Sequence, residues 1–167
     1  AVTYDSCSFA PDSASTATSI ATGRKTYSGM INVDVTGTES FETIAEKLHA
    51  QKDWKVGVIS SVNLNHATPA AFYAHQASRN NYYEIGEELV ASGFDYFAGG
   101  GLKKTTGYDK ENPLPNLYDL AKDAGYTVTF TNEEAAAINA DSGKVILIDE
   151  HLADSDAMAY ELDRTDD

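Results

Sequence analysis

Short apolar runs alternate with helix-like segments along most of the 167-residue chain, and this alternation restricts the fold more than any other feature. The run Lys144–Ile148 (KVILI) predicts a strand, whereas Tyr82–Ser92 has helical spacing and is followed by Gly93, a common helix stop. Strands that alternate with helices are typical of βαβ units. The sequence therefore predicts an α/β fold with a mainly parallel sheet flanked by helices on both faces.

The individual elements follow from local patterns. Residues 13–22 are rich in alanine and other small residues and precede Gly23, and Pro69 stands at a natural first position of a helix. The predicted helices span residues 13–22, 40–51, 69–79, 82–92, 117–124 and 132–139, and the predicted strands span 55–62, the start of 94–101, 127–131 and 144–148. We expect one partial domain over residues 1–167, with a mobile loop at 102–115 and an acidic peripheral segment at 149–167.

The composition limits the partners of the chain. Hydrophobic residues make up 42%, which favours a packed globule, and no apolar run reaches the roughly 20 residues of a membrane helix. The net charge of -14 argues against binding to nucleic acid or to anionic lipid. The same charge would repel a phosphate ester, unless bound metal ions supply local positive charge.

Both ends of the sequence resemble cuts. The first residues, AVTYDSCSFA, contain no initiator Met and no signal-peptide pattern, and the last residues, DRTDD, are polar and abrupt. We therefore expect a fragment of a longer protein. Cys7 is the single cysteine, so neither a disulfide within the chain nor a thiolate zinc cage can form.

Asp12 and Ser13 stand at the head of the first predicted helix. Either residue type can serve as an N-cap, because its oxygen accepts a hydrogen bond from a free N–H group of the helix. A serine here could also act as a nucleophile, since helix N–H groups and the helix dipole favour a bound phosphate. A serine hydroxyl is a weak nucleophile without a base or a metal, so the two interpretations stay open.

Two further candidates lie in the segment 65–79. His66 falls where a strand passes into a helix, so it could be a metal ligand or a structural histidine. Arg79 ends the predicted helix 69–79, where a cation suits the helix dipole, but it could also bind two phosphate oxygens at once. The spacing of the four histidines supports no complete metal site.

Four segments together resemble the alkaline phosphatase family. Residues 11–34 (PDSASTATSIATGRKTYSGMINVD) are similar to the nucleophile segment of that family, and residues 65–79 (NHATPAAFYAHQASR) to a second signature that ends in a phosphate-binding arginine. Residues 97–101 (FAGGG) and 159–164 (AYELDR) resemble two later motifs. The order and approximate spacing agree over nearly the whole chain, which implies a partial alkaline-phosphatase-like α/β/α sandwich.

The resemblance implies roles for particular residues. Ser13 matches the serine that is phosphorylated and binds zinc, Asp12 the aspartate that braces the arginine, and Arg79 the arginine that binds the substrate phosphate. Thr68 matches a hydroxyl ligand of magnesium. His66 occupies a position where some members carry Asp and others His, and its contact with magnesium is expected to run through water. From size alone, we expect the small side chains of Ala14, Ala17 and Thr18 to allow close packing beneath the site.

The family uses two zinc ions and one magnesium ion, and most of their ligands match no residue of this chain. Ser13, Thr68 and His66 are the ligand candidates that it does contain. The resemblance implies that the full-length protein hydrolyses phosphate monoesters through a phosphoserine and releases inorganic phosphate. We expect metal binding in this chain alone to be incomplete or absent, and the chain alone to be inactive.

Two alternatives remain. The protein could be a related metal-dependent phosphodiesterase, or a catalytically dead module that binds anions or other proteins. The resemblance further implies a periplasmic or extracellular location and a homodimer.

Overall fold

A parallel four-stranded sheet forms the centre of the computed structural model, which describes residues 10–149 and, for their backbone, 152–154 and 157–158. The strand order is β1-β2-β4-β3, and every neighbouring pair is parallel. The strands of this sheet are β1 (Gly57–Ile59), β2 (Tyr96–Gly99), β3 (Tyr126–Thr129) and β4 (Lys144–Ile148). The predicted α/β class with a parallel sheet and flanking helices is confirmed.

Six helices accompany the sheet in the described part of the chain. They are α1 (Ser13–Thr22), α2 (Ile44–Lys52), α3 (Ala67–Ala70), α4 (Tyr82–Ser92), α5 (Leu117–Asp123) and α6 (Asn132–Ala136). Two short strands, β5 (Leu152–Asp154) and β6 (Ala157–Met158), pair antiparallel with each other. The predicted bounds of α1, α4 and β4 are confirmed to the residue, and both helices end at a left-handed glycine, Gly23 or Gly93.

Aromatic side chains fill the core around β2. Phe97 on β2 is fully buried, and its ring lies 6.2 Å from that of Phe94 and 5.5 Å from that of Tyr73. The Tyr73 hydroxyl donates to the carbonyl of Leu64 at 2.6 Å, so its polar group is satisfied inside the core. Helices α4 and α5 meet closely because Gly86 has no side chain and leaves room for Leu117.

The predicted strand 55–62 is shorter in the structure than in the prediction, and it is only partly buried. The structure pairs Gly57–Ile59 alone, and in this strand Val58 is buried while Ile59 is 75% exposed. The reason is position: within the described residues, β1 lies at the edge of the four-stranded sheet and has one strand beside it, β2. An apolar run is consistent with burial but does not show whether a strand is central or at an edge.

The predicted helix 69–79 is wrong over most of its length. The helix α3 ends at Ala70, and a turn follows. Further along, Gln76 pairs with Ile31 in an antiparallel bridge, with both N–H···O distances at 2.9 Å. These tertiary hydrogen bonds replace the helical ones, so Arg79 lies on a loop and not at the end of a helix.

The helix predicted at 40–51 begins later, at Ile44. Thr43 is its N-cap, and Thr43 and Glu46 exchange side-chain and backbone hydrogen bonds as a capping box. Ser40 instead forms an isolated bridge with Val33. The helices predicted at 117–124 and 132–139 end one and three residues early, at Asp123 and Ala136.

The segment 102–115, whose mobility stays a prediction, forms hydrogen bonds with two other segments. The Lys103 N–H donates to Asn65 Oδ1 at 2.9 Å, and the Tyr108 hydroxyl donates to the carbonyl of Asn80 at 2.8 Å. The segment 102–115 is therefore attached to a residue just before α3 and to a residue just after Arg79.

Cys7 and the predicted motif at 159–164 lie outside the described residues. No described helix is both long and apolar enough to cross a bilayer.

Replacement of Gly99 by alanine is expected to destabilise the fold. A Cβ atom at Gly99 would lie 2.4 Å from the carbonyl oxygen of Ser60, so backbone must move. We expect the free energy of unfolding to fall by about 1–3 kcal/mol, the range for overpacked sites. Urea unfolding at neutral pH measures it.

The matched control is Gly57→Ala on β1, where the nearest atom to the new Cβ is 3.6 Å away. We expect this control to change the free energy of unfolding by no more than about 0.5 kcal/mol. Equal losses in the two variants would contradict the steric argument.

Candidate active site

The head of α1 presents Ser13 to solvent. Asp12 is the N-cap, and its Oδ1 accepts hydrogen bonds from the N–H and the hydroxyl of Ser15, both at 3.0 Å. Ser15 in turn accepts from the Asp12 N–H, which completes a capping box. Capping is thus carried by Asp12 and Ser15, and the exposed Ser13 hydroxyl is not used for it.

The opposite face of α1 is buried and built from small side chains. Ala14, Ala17 and Thr18 are 0–3% exposed, and the helix packs against α3, which contributes the buried residues Ala67 and Ala70. Small residues let two helices approach closely, so the expected structural role of Ala14, Ala17 and Thr18 agrees with their burial.

The hydroxyls of this helix have mostly local partners. Ser19 donates to the carbonyl of Ser15 at 3.0 Å, and Thr22 donates to that of Thr18 at 2.7 Å. Thr18 accepts a hydrogen bond from the Asn32 N–H at 2.9 Å, which ties α1 to the segment that follows it. The many hydroxyl groups of α1 therefore serve helix packing and hydrogen bonds to the backbone more than catalysis.

Arg79 reaches the head of α1 from a loop more than sixty residues away. Its Nη1 donates to Asp12 Oδ2 at 2.9 Å and to Ser13 Oγ at 2.8 Å. The backbone positions the side chain, since the Arg79 N–H donates to the carbonyl of Gly29 at 2.6 Å. The structure thus brings together the predicted trio of Asp12, Ser13 and Arg79, while their roles in catalysis stay predictions.

The environment keeps the Asp12 carboxylate ionised. Partial burial alone would raise the pKa of Asp12, but hydrogen bonds from the N–H groups of Ser15 and Gly29, from Arg79 and from the Ser15 hydroxyl outweigh it. Together they lower the pKa of Asp12 to about 2. At neutral pH the carboxylate is therefore charged and holds the guanidinium of Arg79 beside Ser13.

Thr68 and His66 lie at the start of α3, the helix that packs against α1. Thr68 is exposed, and the half-buried His66 lies with its ring 6.4 Å from that of Tyr82. Both predicted magnesium-site residues are thus on the element next to the helix of Ser13, and their role as ligands stays a prediction.

The described residues do not by themselves fit a zinc ion. No group of three or more His, Cys, Asp or Glu side chains in the described part of the chain could hold a metal. Ser13, Thr68 and His66 offer two neutral hydroxyls and one imidazole, whereas zinc is generally held by three or four protein ligands drawn from Cys, His, Asp and Glu. Residues outside the described part would have to supply the rest.

Asn32 is a residue that the sequence interpretation missed. It is fully buried with a positive φ of 49°, and its Nδ2 donates to the carbonyls of Ala71 and Ala74, both at 2.8 Å. It thereby joins the segment after α1 to the segment after α3. A lone Asn in MINVD gives no local signal of this role, because its partners lie about forty residues away.

The family model described as alkaline phosphatase matches residues 1–106, which is more than half of the chain. The chain belongs to the alkaline phosphatase family. Alkaline phosphatase 4 of Bacillus subtilis is 33% identical over 128 residues, which cover 73% of this chain and 26% of that protein. The chain therefore spans about a quarter of the length of that relative.

Solved alkaline phosphatases share the fold. A mutant of the TAB5 alkaline phosphatase with magnesium bound has a TM-score of 0.76 at 30% identity, covering 94% of this chain and 43% of that one. The cold-active alkaline phosphatase of a psychrophilic Shewanella has a TM-score of 0.77 at 29% identity, covering 99% of this chain and 38% of that one. The predicted partial alkaline-phosphatase-like fold is therefore confirmed.

Replacement of Asp12 by asparagine tests whether the charge of its carboxylate stabilises the fold. Asparagine is also a good N-cap, so the variant removes the ion pair with Arg79 while the cap is kept. Because folding lowers the pKa of Asp12, its charge stabilises the fold above about pH 4, and this stabilisation is lost as the pH falls toward 2. We expect Asp12→Asn to lower the free energy of unfolding by up to about 2 kcal/mol at pH 7. Denaturant titrations between pH 2 and 7 measure it.

The difference between wild type and Asp12→Asn should shrink as the pH falls through this window. The control Asp141→Asn removes the same charge from an exposed turn and should change the free energy of unfolding little at pH 7. If the difference in the free energy of unfolding stayed constant from pH 7 to pH 2, the stabilisation would not come from the charge of Asp12.

Proposed function

We propose that the full-length gene product carrying this sequence hydrolyses phosphate monoesters through a phosphoserine formed on Ser13. The observation that carries the proposal is the position of Arg79 Nη1, which lies 2.8 Å from an exposed serine hydroxyl and 2.9 Å from an ionised aspartate. An arginine beside a serine at a helix head suits a phosphoryl group, because guanidinium and helix N–H groups both favour phosphate oxygens. Membership of the alkaline phosphatase family supports the same reaction class.

The reaction balances in two steps. Ser13 Oγ attacks phosphorus and its hydroxyl proton is lost, the bond from phosphorus to the ester oxygen breaks, and the departing oxygen takes up a proton and leaves as an alcohol. A water molecule then attacks the phosphoserine, which releases inorganic phosphate and returns a proton to Ser13. Arg79 binds nonbridging phosphate oxygens throughout, and Asp12 keeps its guanidinium in place.

Two zinc ions and one magnesium ion belong to the proposal, with Ser13, Thr68 and His66 as the ligand candidates in this chain. When bound, such ions would favour the ionised serine and neutralise charge on the phosphate. The remaining ligands would have to come from outside the described residues. A homodimer and a location outside the cytoplasm are proposed on the same family grounds.

Replacement of Ser13 by alanine should abolish formation of the phosphoserine. The full-length gene product is mixed with substrate and quenched, and peptide mass spectrometry detects the added phosphoryl group. We expect wild type to carry it on the peptide that contains Ser13, and Ser13→Ala to carry none. The loss in turnover should be several orders of magnitude, because the nucleophile is gone.

The control for this experiment is Ser19→Ala on the same helix. The Ser19 hydroxyl donates to a backbone carbonyl within α1, so its loss should leave labelling unchanged. If Ser13→Ala is labelled to the same yield as wild type, Ser13 is not the nucleophile.

The 167-residue chain alone should show little turnover. With zinc, magnesium and p-nitrophenyl phosphate, we expect rates far below the roughly 1–1000 per second of typical enzymes, because the described residues complete no metal site. The full-length gene product in the same buffer is the control. Turnover of the chain within the typical range would show that its own residues suffice.

A second candidate function is a catalytically dead module that binds anions, since the Arg79 guanidinium beside the exposed Ser13 hydroxyl could bind an anion without catalysis. A metal count by inductively coupled plasma spectrometry on the full-length gene product separates the two. About three metals per chain supports the phosphatase, and none supports the dead module.

A further inference from the structure

Arg79 lies in a segment that is itself neither a helix nor a strand of a sheet. We name residues 75–81 the arginine loop. One side of this loop is held by backbone hydrogen bonds to residues 29 and 31, through Arg79 and Gln76. A loop with so few backbone hydrogen bonds needs side-chain contacts to hold an arginine within hydrogen-bond distance of a nucleophile.

Glu88 on α4 supplies contacts on the other side of the loop. Its Oε2 accepts a hydrogen bond from the His75 N–H at 2.6 Å, and its Oε1 accepts one from the Gln76 side-chain amide. The Gln76 Oε1 accepts from the Asn81 side chain at 2.9 Å, so the contact extends to the end of the loop. One carboxylate thus holds two consecutive loop residues.

The imidazole of His75 adds an ionic contact. It lies between two carboxylates, with Nδ1 3.4 Å from Glu88 Oε2 and Nε2 3.4 Å from Glu46 Oε2 on α2. The carbonyl of Phe41 lies 3.2 Å from Nε2. Burial, and after it the charge of Glu88, raises the pKa of the Tyr73 hydroxyl. Burial alone would lower the pKa of His75, but the two glutamates outweigh it and raise that pKa to about 10, so the ring is charged at neutral pH.

We propose that Glu88 is a positioning residue for Arg79: it fixes the arginine loop through His75 and Gln76 and so keeps the guanidinium at Ser13. Its effect on phosphate binding rests on the proposed function, whereas its effect on the loop does not. If Glu88 loses its charge, the His75 imidazolium loses a counterion. The His75 N–H and the Gln76 side-chain amide also lose a charged acceptor. Half-buried polar groups without such partners destabilise the conformation that holds them.

Hydrogen exchange of the 167-residue chain tests the structural part. The Arg79 and Gln76 amides, which bond to Gly29 and Ile31, should exchange at least tenfold faster in Glu88→Gln than in wild type. Amides of β2 and β4 report global stability and should change less. The matched control is Glu87→Gln, which removes the same charge from the exposed neighbouring position on α4 and should leave all these rates unchanged.

Unchanged exchange at Arg79 and Gln76 in Glu88→Gln would overturn the proposal. If that variant does not fold, Gln76→Ala replaces it, because it removes one link of the same chain of contacts while both glutamates stay. Normal protection of the Arg79 amide in a folded Gln76→Ala would overturn the proposal equally.

A double-mutant cycle on the full-length gene product tests the functional part. Glu88→Gln should lower kcat/KM about tenfold in the wild-type background and have no further effect in an Arg79→Ala background, because Glu88 acts through Arg79. An equal loss in both backgrounds would mean a general structural role and overturn the proposal. If wild type hydrolyses no phosphate ester, the proposed function fails, and the exchange experiment still decides the role of Glu88.

Discussion

The ion pair between Arg79 and Asp12 joins two segments that are 67 residues apart in sequence, and the geometry of the candidate site depends on it. Asp12 has two tasks at once, because its Oδ1 caps α1 and its Oδ2 accepts from the guanidinium. The carboxylate that starts the helix therefore also sets where Arg79 lies relative to Ser13. A shift of α1 along its axis would move the cap, the nucleophile candidate and the arginine contact together.

The contact between Arg79 and Asp12 is supported by the packing of residues that have no proposed role in catalysis. Alanines of α1 and α3 bring the two helices close together, and the buried Asn32 joins the segments that follow them. The bridge between Ile31 and Gln76 then directs the chain toward Arg79. Such a support is rigid because its members are small or fully buried, so few rotamers can change.

Local signals allowed part of this to be predicted from the sequence. The ends of α1 and α4 depend on a cap and a following glycine, which lie within a few residues of each other, and both helices were predicted to the residue. The prediction of a helix over residues 69–79 was wrong because the hydrogen bonds of this segment go to Ile31, Gly29 and Glu88. No local sequence pattern identifies these partners.

The candidate site divides in the same way. Ser13 at the head of a helix followed from the sequence alone, whereas its partnership with Arg79 was expected from the resemblance to a family. Asn32 was not identified from the sequence because its partners lie far away along the chain. Glu88 was not identified because its partners lie in a segment that was predicted to be helical and is not.

The charges at the site also explain why an arginine alone attracts a phosphate ester only weakly. Asp12, with a pKa of about 2, is ionised at neutral pH and balances the single positive charge of Arg79, so the pair is close to neutral. The chain as a whole carries a net charge of -14. A phosphate dianion at Ser13 would thus gain directed hydrogen bonds from Arg79 but little net attraction, since its charge meets a balanced pair within an acidic protein. Arg79 is therefore better suited to orient a phosphoryl group than to attract it, and in the proposed reaction the attraction would come from bound metal ions.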